Sequence, residues 1–560
     1  MKLILCSVCS FFLFSAGSNA QSPVTLNVYP DARIKAVPHD FLGLSFETAT
    51  LINNNAGVNG YLFDSTDTQL LTLFKNLAIR NLRIGGDSVD TTATPSRQAI
   101  DSLFGFARAA DLKVIYSLRL ANGDSAQDAS IARYILDNYR QYLQCFAIGN
   151  EPNLYGKMDP EITGYPTWLA KWERFAEVVI DSVPGAKFGG PDVGTGGWSW
   201  DPQFSQAQSG SGILTNIFSH YYVGGVSTGK TPQQLIDNML STKWDTINYP
   251  KQYAIISNVG LPYRLTESNS YVAGNPGVWG GNNSFATALF ALDYAHWWAI
   301  HGCAGVNFHT YQWKYNGTVY QDSDGNLQVY PIAYGIRAFD VGGHGTIDSV
   351  VIGNPDTLDL TAYAVTDSTR TLFITIINRE YGTGVRDANV TIKVTGSADS
   401  VMYLVAPNDD IGATSGVTLG GASITNNGPW QGKWILLDSA NSSGCLVRVP
   451  GSSAAIVKLA EAGSAASTRY KPSSGFSLYQ NYPNPFNAST QVTVSLKQSG
   501  LMSLKVYNVF GQLVKVVDQG YKPIGEFTYS VRMDRFASGV YFYTLQQGSN
   551  IMTKKMLLLK

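Results

Sequence analysis

The chain has 560 residues, of which 44% are hydrophobic and 14% charged, and its formal net charge is −1 at pH 7. This composition excludes a disordered or fibrous protein, and the length exceeds what one hydrophobic core usually supports, so we expect two or three domains. A net charge near zero gives no reason to expect nucleic acid or an anionic membrane surface as a partner.

Residues 1–20 have the features of a secretory signal peptide. Lys2 precedes an apolar run at 3–14, and Ser18 and Ala20 occupy the −3 and −1 positions of a cleavage site. A lipoprotein signal is the alternative, but neither early cysteine follows the small residue that such a signal needs. No later stretch reaches roughly 18 uninterrupted apolar residues, so no transmembrane segment is predicted in the mature chain.

Three cysteines lie beyond the predicted cleavage site, at Cys145, Cys303 and Cys445. They allow one disulfide and leave one thiol over, and the sequence does not determine the pairing. We expect all three to be structural, because a thiol in an apolar run usually behaves as a small buried hydrophobe. The spacing matches no metal site, and we expect no metal or other cofactor.

Residues 38–340 alternate short apolar runs with longer segments of helical period. Eight runs are strand candidates: "FLGLSFE", "RNLRIGG", "LKVIYSLR", "CFAIGNE", "AKFGGPD", "IFSHYY", "YRLTES" and "GVNFHTY". Helical patterns between them include "RQAIDSLFGFARAA" and "SFATALFALDYAHWWAIHG", the latter with Ser284 as an expected N-cap. Eight strand–helix repeats predict a (β/α)8 TIM barrel, in which chemistry occurs at the C-terminal ends of the strands.

The rest of the chain has the pattern of β domains. Residues 341–460 show short alternating strands with Gly, Asn and Asp turns, which predicts an antiparallel β-sandwich, and 21–37 can add one or two strands to it. Residues 461–475 form a small, polar linker. A compact C-terminal β unit then covers 476–560.

Two glutamates end predicted barrel strands. Glu151 in "AIGNEP" ends the fourth candidate strand and Glu267 in "RLTES" ends the seventh, so both should point into one end of the barrel. Two converging carboxylates suit glycosidic bond cleavage, and a gap of about 5 to 5.5 Å between them predicts retention of configuration. The alternative is that each glutamate only forms a structural ion pair, with Arg83 or Arg264.

Residues next to these glutamates have predicted supporting roles. Asn150 can donate an amide hydrogen to a sugar hydroxyl, and Pro152 is expected to hold Glu151 extended. Arg83 should point into the barrel and keep Glu267 ionised. His220 and His309 are expected to orient these groups through hydrogen bonds, because two carboxylates already fill the acid and base roles.

The ordered motifs resemble clan A of the retaining glycoside hydrolases, and within it family 79, the β-glucuronidase and heparanase family. They are "FLGLSFET", "LRIGGDSVD", "IGNEP", "FSHYY", "LTES" and "NNSFATALFALDY" with "GVNFHTY", and the match covers about residues 24–460. The resemblance implies Glu151 as acid/base, Glu267 as nucleophile and Asn150 as partner of the 2-hydroxyl. It implies substrate-pocket positions at Glu47, Asp87, Tyr221, Tyr271 and Tyr311.

The expected substrate carries a single uronate rather than a long sulfated chain. The motifs at the strand ends are acidic and aromatic, as in "SFET", "GGDS", "SHYY" and "HTYQW", whereas binding of a sulfated polymer calls for Lys and Arg. Tyrosine hydroxyls and backbone N–H groups near 271–274 could hold one carboxylate.

The C-terminal segment 476–560 resembles the sorting domain of type IX secretion substrates. "FSLYQNYPNPFN", "LKVYNVFGQLV", "FASGVYFYTLQQG" and the basic end "MTKKMLLLK" occur in that order. This resemblance implies passage across a bacterial outer membrane by the type IX machinery, followed by release or attachment at the cell surface. An ordinary carbohydrate-binding module is the alternative.

Three functions remain open from the sequence. The first is a retaining, exo-acting β-glucuronidase that removes glucuronic acid, including the 4-O-methylated form, from oligo- or polysaccharides. The second is a clan relative with another sugar preference or endo action, because the glutamate pair does not encode the sugar. The third is a non-catalytic carbohydrate-binding protein of the cell surface, against which the presence of both glutamates argues.

Overall fold

The structure is a computed structural model. It describes residues 22–30, 34–52, 60–257, 259–274, 276–310, 314–393, 397–437, 445–460, 476–496, 500–509, 511–522, 525–547 and 550–560. The predicted signal peptide and the predicted linker at 461–475 lie outside the described residues. The chain forms two compact units, Met1–Ala462 and Gly463–Lys560. The domain boundaries given above stay predictions within these units.

A closed barrel of eight strands forms the centre of the first unit, and it confirms the predicted TIM-barrel fold. All eight strand candidates are barrel strands, each paired in parallel with its neighbours. In chain order, they are β2 (Leu42–Glu47), β3 (Asn81–Gly85), β4 (Lys113–Leu118), β5 (Leu143–Ile148), β6 (Phe188–Val193), β7 (Leu214–Tyr222), β8 (Tyr263–Asn269) and β9 (Val306–His309).

Helices connect the barrel strands and cover their outer faces. They are α1 (Thr68–Asn76), α2 (Ser88–Thr91), α3 (Arg97–Ala110), α4 (Ser125–Tyr139), α5 (Tyr165–Ser182), α6 (Trp200–Ala207), α7 (Pro232–Met239), α8 (Tyr249–Ile256), α9 (Ala286–Ile300) and α10 (Ile332–Gly342). The side chain of Ser96 caps α3 by accepting a hydrogen bond from Ala99 N. The expectation for Ser284 is wrong, because α9 begins after Phe285 and the Ser284 hydroxyl donates to Gly281 O.

A folded sheet of ten strands packs beside the barrel. Its strands are β1 (Ser22–Tyr29), β12 (Thr346–Gly353), β13 (Leu360–Thr366), β14 (Leu372–Asn378), β15 (Ala388–Lys393), β16 (Ser397–Val405), β17 (Thr418–Leu419), β18 (Ile435–Leu436), β19 (Cys445–Val449) and β20 (Ser453–Ala460). A short hairpin, β10 (Val319–Gln321) and β11 (Leu327–Val329), precedes it.

Strand β12 joins the two layers of this sheet, because its first residues pair with β13 and its last residues pair with β1. Apolar side chains such as Leu26, Ile374 and Val447 fill the space between the layers. One pairing departs from the expected antiparallel sandwich, since β1 runs parallel to β15. β1 precedes the barrel in the chain and β15 follows it, so no hairpin connects the two strands or fixes their relative direction.

The sheet and the barrel share one hydrophobic core. Met402, Leu404 and Ile456 of the sheet belong to the same buried cluster as the barrel strands and helices. A buried cation, Arg379, adds an ion pair of 2.7 Å with Asp293 of α9. The sheet therefore stabilises the barrel from one side.

The second unit consists of two antiparallel sheets with their own core. The strands are β21 (Phe476–Leu478), β22 (Ser489–Leu496), β23 (Gly500–Asn508), β24 (Leu513–Lys522), β25 (Gly525–Arg532), β26 (Gly539–Gln547) and β27 (Asn550–Leu558). Alternate residues such as Val492, Leu504 and Tyr543 are buried between them. Among the described residues of the chain, no helix is long and apolar enough to cross a membrane.

The three cysteines beyond residue 20 are free, buried thiols. Burial raises the pKa of Cys145 to about 12 and that of Cys303 to about 11. Neither thiol is therefore a thiolate near neutral pH, and neither has the electropositive, partly exposed surroundings of a reactive cysteine.

Candidate active site

The C-terminal ends of the barrel strands surround a polar region, called the barrel mouth below. At its base lies Arg83 of β3, whose side chain is fully buried. Its guanidinium donates to Glu267 Oε2 at 2.7 Å, to Asp192 Oδ2 at 2.6 Å and to Asn150 Oδ1 at 2.7 Å. A Cβ atom at Gly85 would lie 2.6 Å from Arg83 Nε, so this glycine leaves the space that the guanidinium occupies.

Glu267, two residues before the end of β8, is an ionised carboxylate. Burial by itself raises its pKa, but the positive charges of His309, His220 and Arg83 lower the pKa to about 2. The hydroxyl of Tyr222 donates to Glu267 Oε1 at 2.8 Å. Both oxygens of Glu267 therefore accept hydrogen bonds, and the side chain is charged at neutral pH.

Glu151 adopts a left-handed backbone conformation, with φ 47° and ψ 49°. The expectation that Pro152 holds it extended is wrong. Proline disfavours the right-handed helical region for the residue before it, but the chain here turns sharply into a 3-10 helix at Pro152–Leu154. The Glu151 N–H donates to Asp192 O at 2.9 Å and its carbonyl accepts from Leu154 N at 2.8 Å, and these bonds maintain the turn.

The two glutamates approach each other closely. One carboxylate oxygen of Glu151, one of Glu267 and a ring nitrogen of His220 all lie within 4.8 Å of one another. Such a gap is close to the separation of about 5 to 5.5 Å typical of retaining glycosidases and below the roughly 6.5 to 9.5 Å of inverting ones.

His220 and Asp192 link the glutamates to the barrel interior. His220 Nδ1 lies 2.9 Å from Glu151 Oε1, and His220 Nε2 lies 3.0 Å from Asp192 Oδ1. Burial lowers the pKa of His220, but the charges of Asp192 and Glu267 outweigh this and raise it to about 10. His220 is therefore a buried cation at neutral pH.

Two further carboxylates line the mouth. Glu47 of β2 accepts from Ser88 N at 2.8 Å and lies 3.6 Å from His309 Nε2. Asp87 is exposed, and it accepts from Asn150 Nδ2 at 3.1 Å. Although Asp87 as a whole residue is exposed, the surrounding protein partly desolvates its carboxyl group, and this, followed by the charges of Glu267, Glu47 and Glu151, raises the pKa of Asp87 to about 6.

Two of the three predicted pocket tyrosines lie among the described residues, and both are buried. Tyr221 is buried and its ring packs edge-on against Trp198 and Trp298, away from the mouth. The hydroxyl of Tyr271 donates to Leu235 O at 3.1 Å and accepts from Asn238 Nδ2 at 2.8 Å, within a fully buried environment. Tyr311 lies outside the described residues. In this structure the rings of Tyr221 and Tyr271 contact buried residues outside the barrel interior, and their assignment to the substrate pocket stays a prediction.

Two residues of the site were missed from the sequence. Tyr222 follows Tyr221, and since alternate strand residues face opposite sides, "SHYY" directs His220 and Tyr222 to the interior. Tyr222 could therefore have been identified from this alternation in the sequence. Asp192 in "GGPD" offered no comparable pattern, because its partners lie on other strands: Arg83 on β3, far away in the chain, and His220 on the next strand, β7.

Glu151, His220 and Glu267 are also a group whose atoms could converge on a metal ion. The positive charges beside these carboxylates oppose the binding of a metal ion. His220 is itself a cation, and the Arg83 guanidinium lies 2.7 Å from Glu267. Two positive groups beside the carboxylates already compensate their charge.

The first unit is similar in fold to several glycoside hydrolases. An arabinofuranosidase of family GH51 from Xanthomonas axonopodis pv. citri superposes with a TM-score of 0.60 and 15% identity, covering 79% of this chain and 100% of that one. A 4-O-α-L-rhamnosyl-β-D-glucuronidase from Fusarium oxysporum 12S gives 0.58 and 17%, with 78% and 100% covered. CelM2, a bifunctional glucanase-xylanase from a metagenome library, gives 0.54 and 13%, with 79% and 100% covered.

No curated protein sequence matches the chain. Residues 480–559 match the family described as the secretion system C-terminal sorting domain. This confirms the expectation for the tail. The C-terminal sorting domain marks the chain for type IX secretion, to the cell surface or out of the cell.

Proposed function

We propose that this protein is a retaining glycoside hydrolase with Glu267 as nucleophile and Glu151 as acid/base. The observation that carries the proposal is the pair of carboxylates within 4.8 Å at the barrel mouth, one of them held ionised by buried cations. An ion pair that only stabilised the fold would not need a second carboxylate beside it. The fold shared with glycoside hydrolases supports the same reaction class.

In the first step Glu267 attacks the anomeric carbon while Glu151 protonates the departing glycosidic oxygen. A covalent glycosyl-enzyme forms, and Glu151 then removes a proton from the water that hydrolyses it. Arg83 donates to Asn150 Oδ1, which directs the amide N–H groups of Asn150 away from the guanidinium. One of these N–H groups donates to Asp87, and the other can bind the 2-hydroxyl, where hydrogen bonds strengthen in the transition state.

The sugar that we propose is a terminal β-linked glucuronic acid. The motifs that resemble family 79 favour it, and one protein of similar fold is a 4-O-α-L-rhamnosyl-β-D-glucuronidase. The substrate would be an oligo- or polysaccharide that carries this uronate, including its 4-O-methylated form. The enzyme would act in the exo mode and remove the terminal sugar.

A second candidate is a glycosidase for a neutral sugar. The observation that favours it is the acidic mouth, because Glu47 and Asp87 add carboxylates that repel a uronate and accept hydrogen bonds from neutral hydroxyls. Proteins of similar fold include arabinofuranosidases and a glucanase-xylanase.

The decisive experiment compares p-nitrophenyl β-D-glucuronide, β-D-glucoside and α-L-arabinofuranoside as substrates of the purified protein. We expect the glucuronide to give the highest kcat/KM, and proton NMR at early times to show product of retained configuration. A higher kcat/KM for a neutral glycoside would contradict the uronate substrate and favour the second candidate, a glycosidase for a neutral sugar. Inverted product would overturn the double-displacement mechanism, and no turnover of any glycoside would favour a carbohydrate-binding protein.

A further inference from the structure

We propose that Asp192 is the positioning residue for the acid/base glutamate: it fixes His220 as a donor on both ring nitrogens and binds the backbone of Glu151. The inference rests on the proposed role of Glu151. It adds a residue that acts through others and touches no substrate.

Asp192 contacts Glu151 through its main chain and contacts His220, the imidazole that bonds the Glu151 carboxylate. Its Oδ2 accepts from Arg83 at 2.6 Å, and its Oδ1 lies 3.0 Å from His220 Nε2 and accepts from Thr266 Oγ1 at 2.5 Å. Its backbone carbonyl accepts the N–H of Glu151 at 2.9 Å. One residue thus holds Glu151 at two places, through the main chain and through the imidazole.

The backbone at Asp192 is itself unusual. Its φ of 60° lies in the left-handed region, which residues other than glycine seldom adopt. Such conformations persist where surrounding bonds maintain them, and they cluster at functional sites. The side chain is 1% exposed, so its charge depends on Arg83 and His220 for compensation.

The negative charge of Asp192 determines which ring nitrogens of His220 are hydrogen-bond donors. Burial raises the pKa of Asp192, but the charges of Arg83 and His220 hold it well below its usual range, so both of its carboxylate oxygens are acceptors. His220 Nε2 must therefore carry a hydrogen. With His220 a cation, Nδ1 carries one as well and donates to Glu151 Oε1 at 2.9 Å.

This assigns the catalytic proton to one oxygen. Because Oε1 of Glu151 accepts from His220, the proton that Glu151 delivers to the leaving group resides on Oε2. Of the other charged groups that face His220, Arg83 opposes its positive charge, because Arg83 Nη2 lies 3.5 Å from His220 Nε2, and Asp192 between the two compensates both cations. Glu267 lies 4.0 Å from Nδ1 and is ionised, while burial raises the pKa of Asp201 well above its usual range.

The test replaces Asp192 with Asn, which keeps the size of the side chain and removes its charge. In Asp192→Asn we expect kcat for p-nitrophenyl glycosides to fall about 10²-fold, as for a misplaced catalytic group, with KM changed less. The basic limb of the pH profile should move to lower pH, because the group that holds His220 protonated is gone. The fall in kcat should be much smaller for a 2,4-dinitrophenyl glycoside, because its leaving group needs no proton.

Nitrogen-15 NMR of the histidine rings gives a readout that does not depend on turnover. The signal of His220, assigned by comparison with His220→Gln, should show a protonated ring from pH 6 to 9 in the wild type and should titrate within that range in Asp192→Asn. The matched control is Asp387→Asn, which removes a buried carboxylate paired with Arg448 in the sheet and should change neither readout.

An imidazole that deprotonates below pH 8 in the wild type would overturn the inference, even if Asp192→Asn does not fold. An equal loss of kcat in Asp192→Asn on the p-nitrophenyl and 2,4-dinitrophenyl glycosides would also overturn it. A protein without glycosidase activity but with the expected histidine titration would refute the proposed function while leaving the charge arrangement in place.

Discussion

Arg83 sets the charge balance of the barrel mouth. A fully buried guanidinium is costly unless it is paired, and Arg83 contacts two carboxylates, those of Asp192 and Glu267. Burial opposes its charge, yet Asp192 and Glu267 raise the pKa of Arg83 above its usual value. The same contacts keep Glu267 ionised, so the cation that is buried for structural reasons also prepares the nucleophile.

The first prediction concerns the two glutamates. Glu151→Gln and Glu267→Gln should each lose roughly 10²- to 10⁴-fold or more in kcat while the circular dichroism spectrum and melting temperature stay near those of the wild type. Each change removes one role in a double displacement but keeps the shape of the side chain. The measurement is steady-state hydrolysis of the preferred p-nitrophenyl glycoside.

Rescue by azide separates the two roles. In Glu151→Ala, azide should restore turnover of an activated aryl glycoside and yield a glycosyl azide of retained configuration, since the nucleophile is still present. In Glu267→Ala any azide product should be inverted. Near-wild-type rates in both Gln variants would show that the site has been assigned wrongly.

The second prediction is a pH dependence set by Asp87. Its pKa is raised to about 6, so the carboxyl is neutral below that pH and carries a negative charge above it. For a uronate substrate, KM should therefore rise as the pH increases through about 6, because a like charge then faces the substrate. Kinetics from pH 4.5 to 7.5 measure this.

Two comparisons isolate the effect of Asp87. Asp87→Asn should remove the increase in KM, and a neutral glycoside should show a weaker dependence in the wild type. A pH profile of KM that is the same in wild type and Asp87→Asn would contradict the electrostatic explanation.

At the scale of single elements, strand β7 shows how alternation separates function from packing. Ser219 and Tyr221 face the helices, where Ser219 bonds Asp201 and Tyr221 packs among aromatic rings. His220 and Tyr222 face the interior and contact Glu151 and Glu267. One strand thus supplies a contact to each glutamate.

The third prediction uses this pair of neighbouring tyrosines. Tyr222→Phe removes a hydrogen bond to a charged carboxylate, worth about 1.5 to 3 kcal/mol, and should lower kcat by about 10-fold or more. Tyr221→Phe is the matched control on the opposite face and should leave kcat unchanged. Equal kinetics for both variants would mean that the Tyr222 hydroxyl does not act on the nucleophile.

At the scale of the whole molecule, the two compact units have separate hydrophobic cores. The barrel and the ten-stranded sheet share one core, so they form a single stable body, whereas the tail buries its own side chains between its own two sheets. This division agrees with a tail that folds around its own core and carries an export signal.

The fourth prediction follows from that division. Deletion of residues 476–560 should leave kcat and KM of the remaining chain unchanged but stop its passage across the outer membrane, because the sorting domain is lost. Fractionation of the producing bacterium into medium, surface and periplasm, with an activity assay on each, measures both effects. Normal amounts of the truncated protein outside the cell would contradict the sorting role.

The sequence alone was sufficient for the architecture. All eight barrel strands were located, because apolar runs separated by helical periods recur along the chain, and such patterns are local. Glu151 and Glu267 were singled out for a related reason: parallel barrel strands end on one side, so residues at strand ends meet whatever their distance along the chain. The tail motifs were likewise contiguous, and the family match confirms them.

Only the tertiary structure decided which neighbours complete the site. Asp192 of β6 lies between Arg83 of β3, across the barrel, and His220 of the neighbouring strand β7, and Glu151 is turned by bonds to Asp192 and Leu154 rather than by Pro152 alone. Tyr221 and Tyr222 are chemically alike, and one residue of strand register separates core packing from contact with the nucleophile. Alternation along β7 could have separated these two tyrosines, but the partners and charges of Asp192 and Glu151 depend on contacts between strands, which no local pattern encodes.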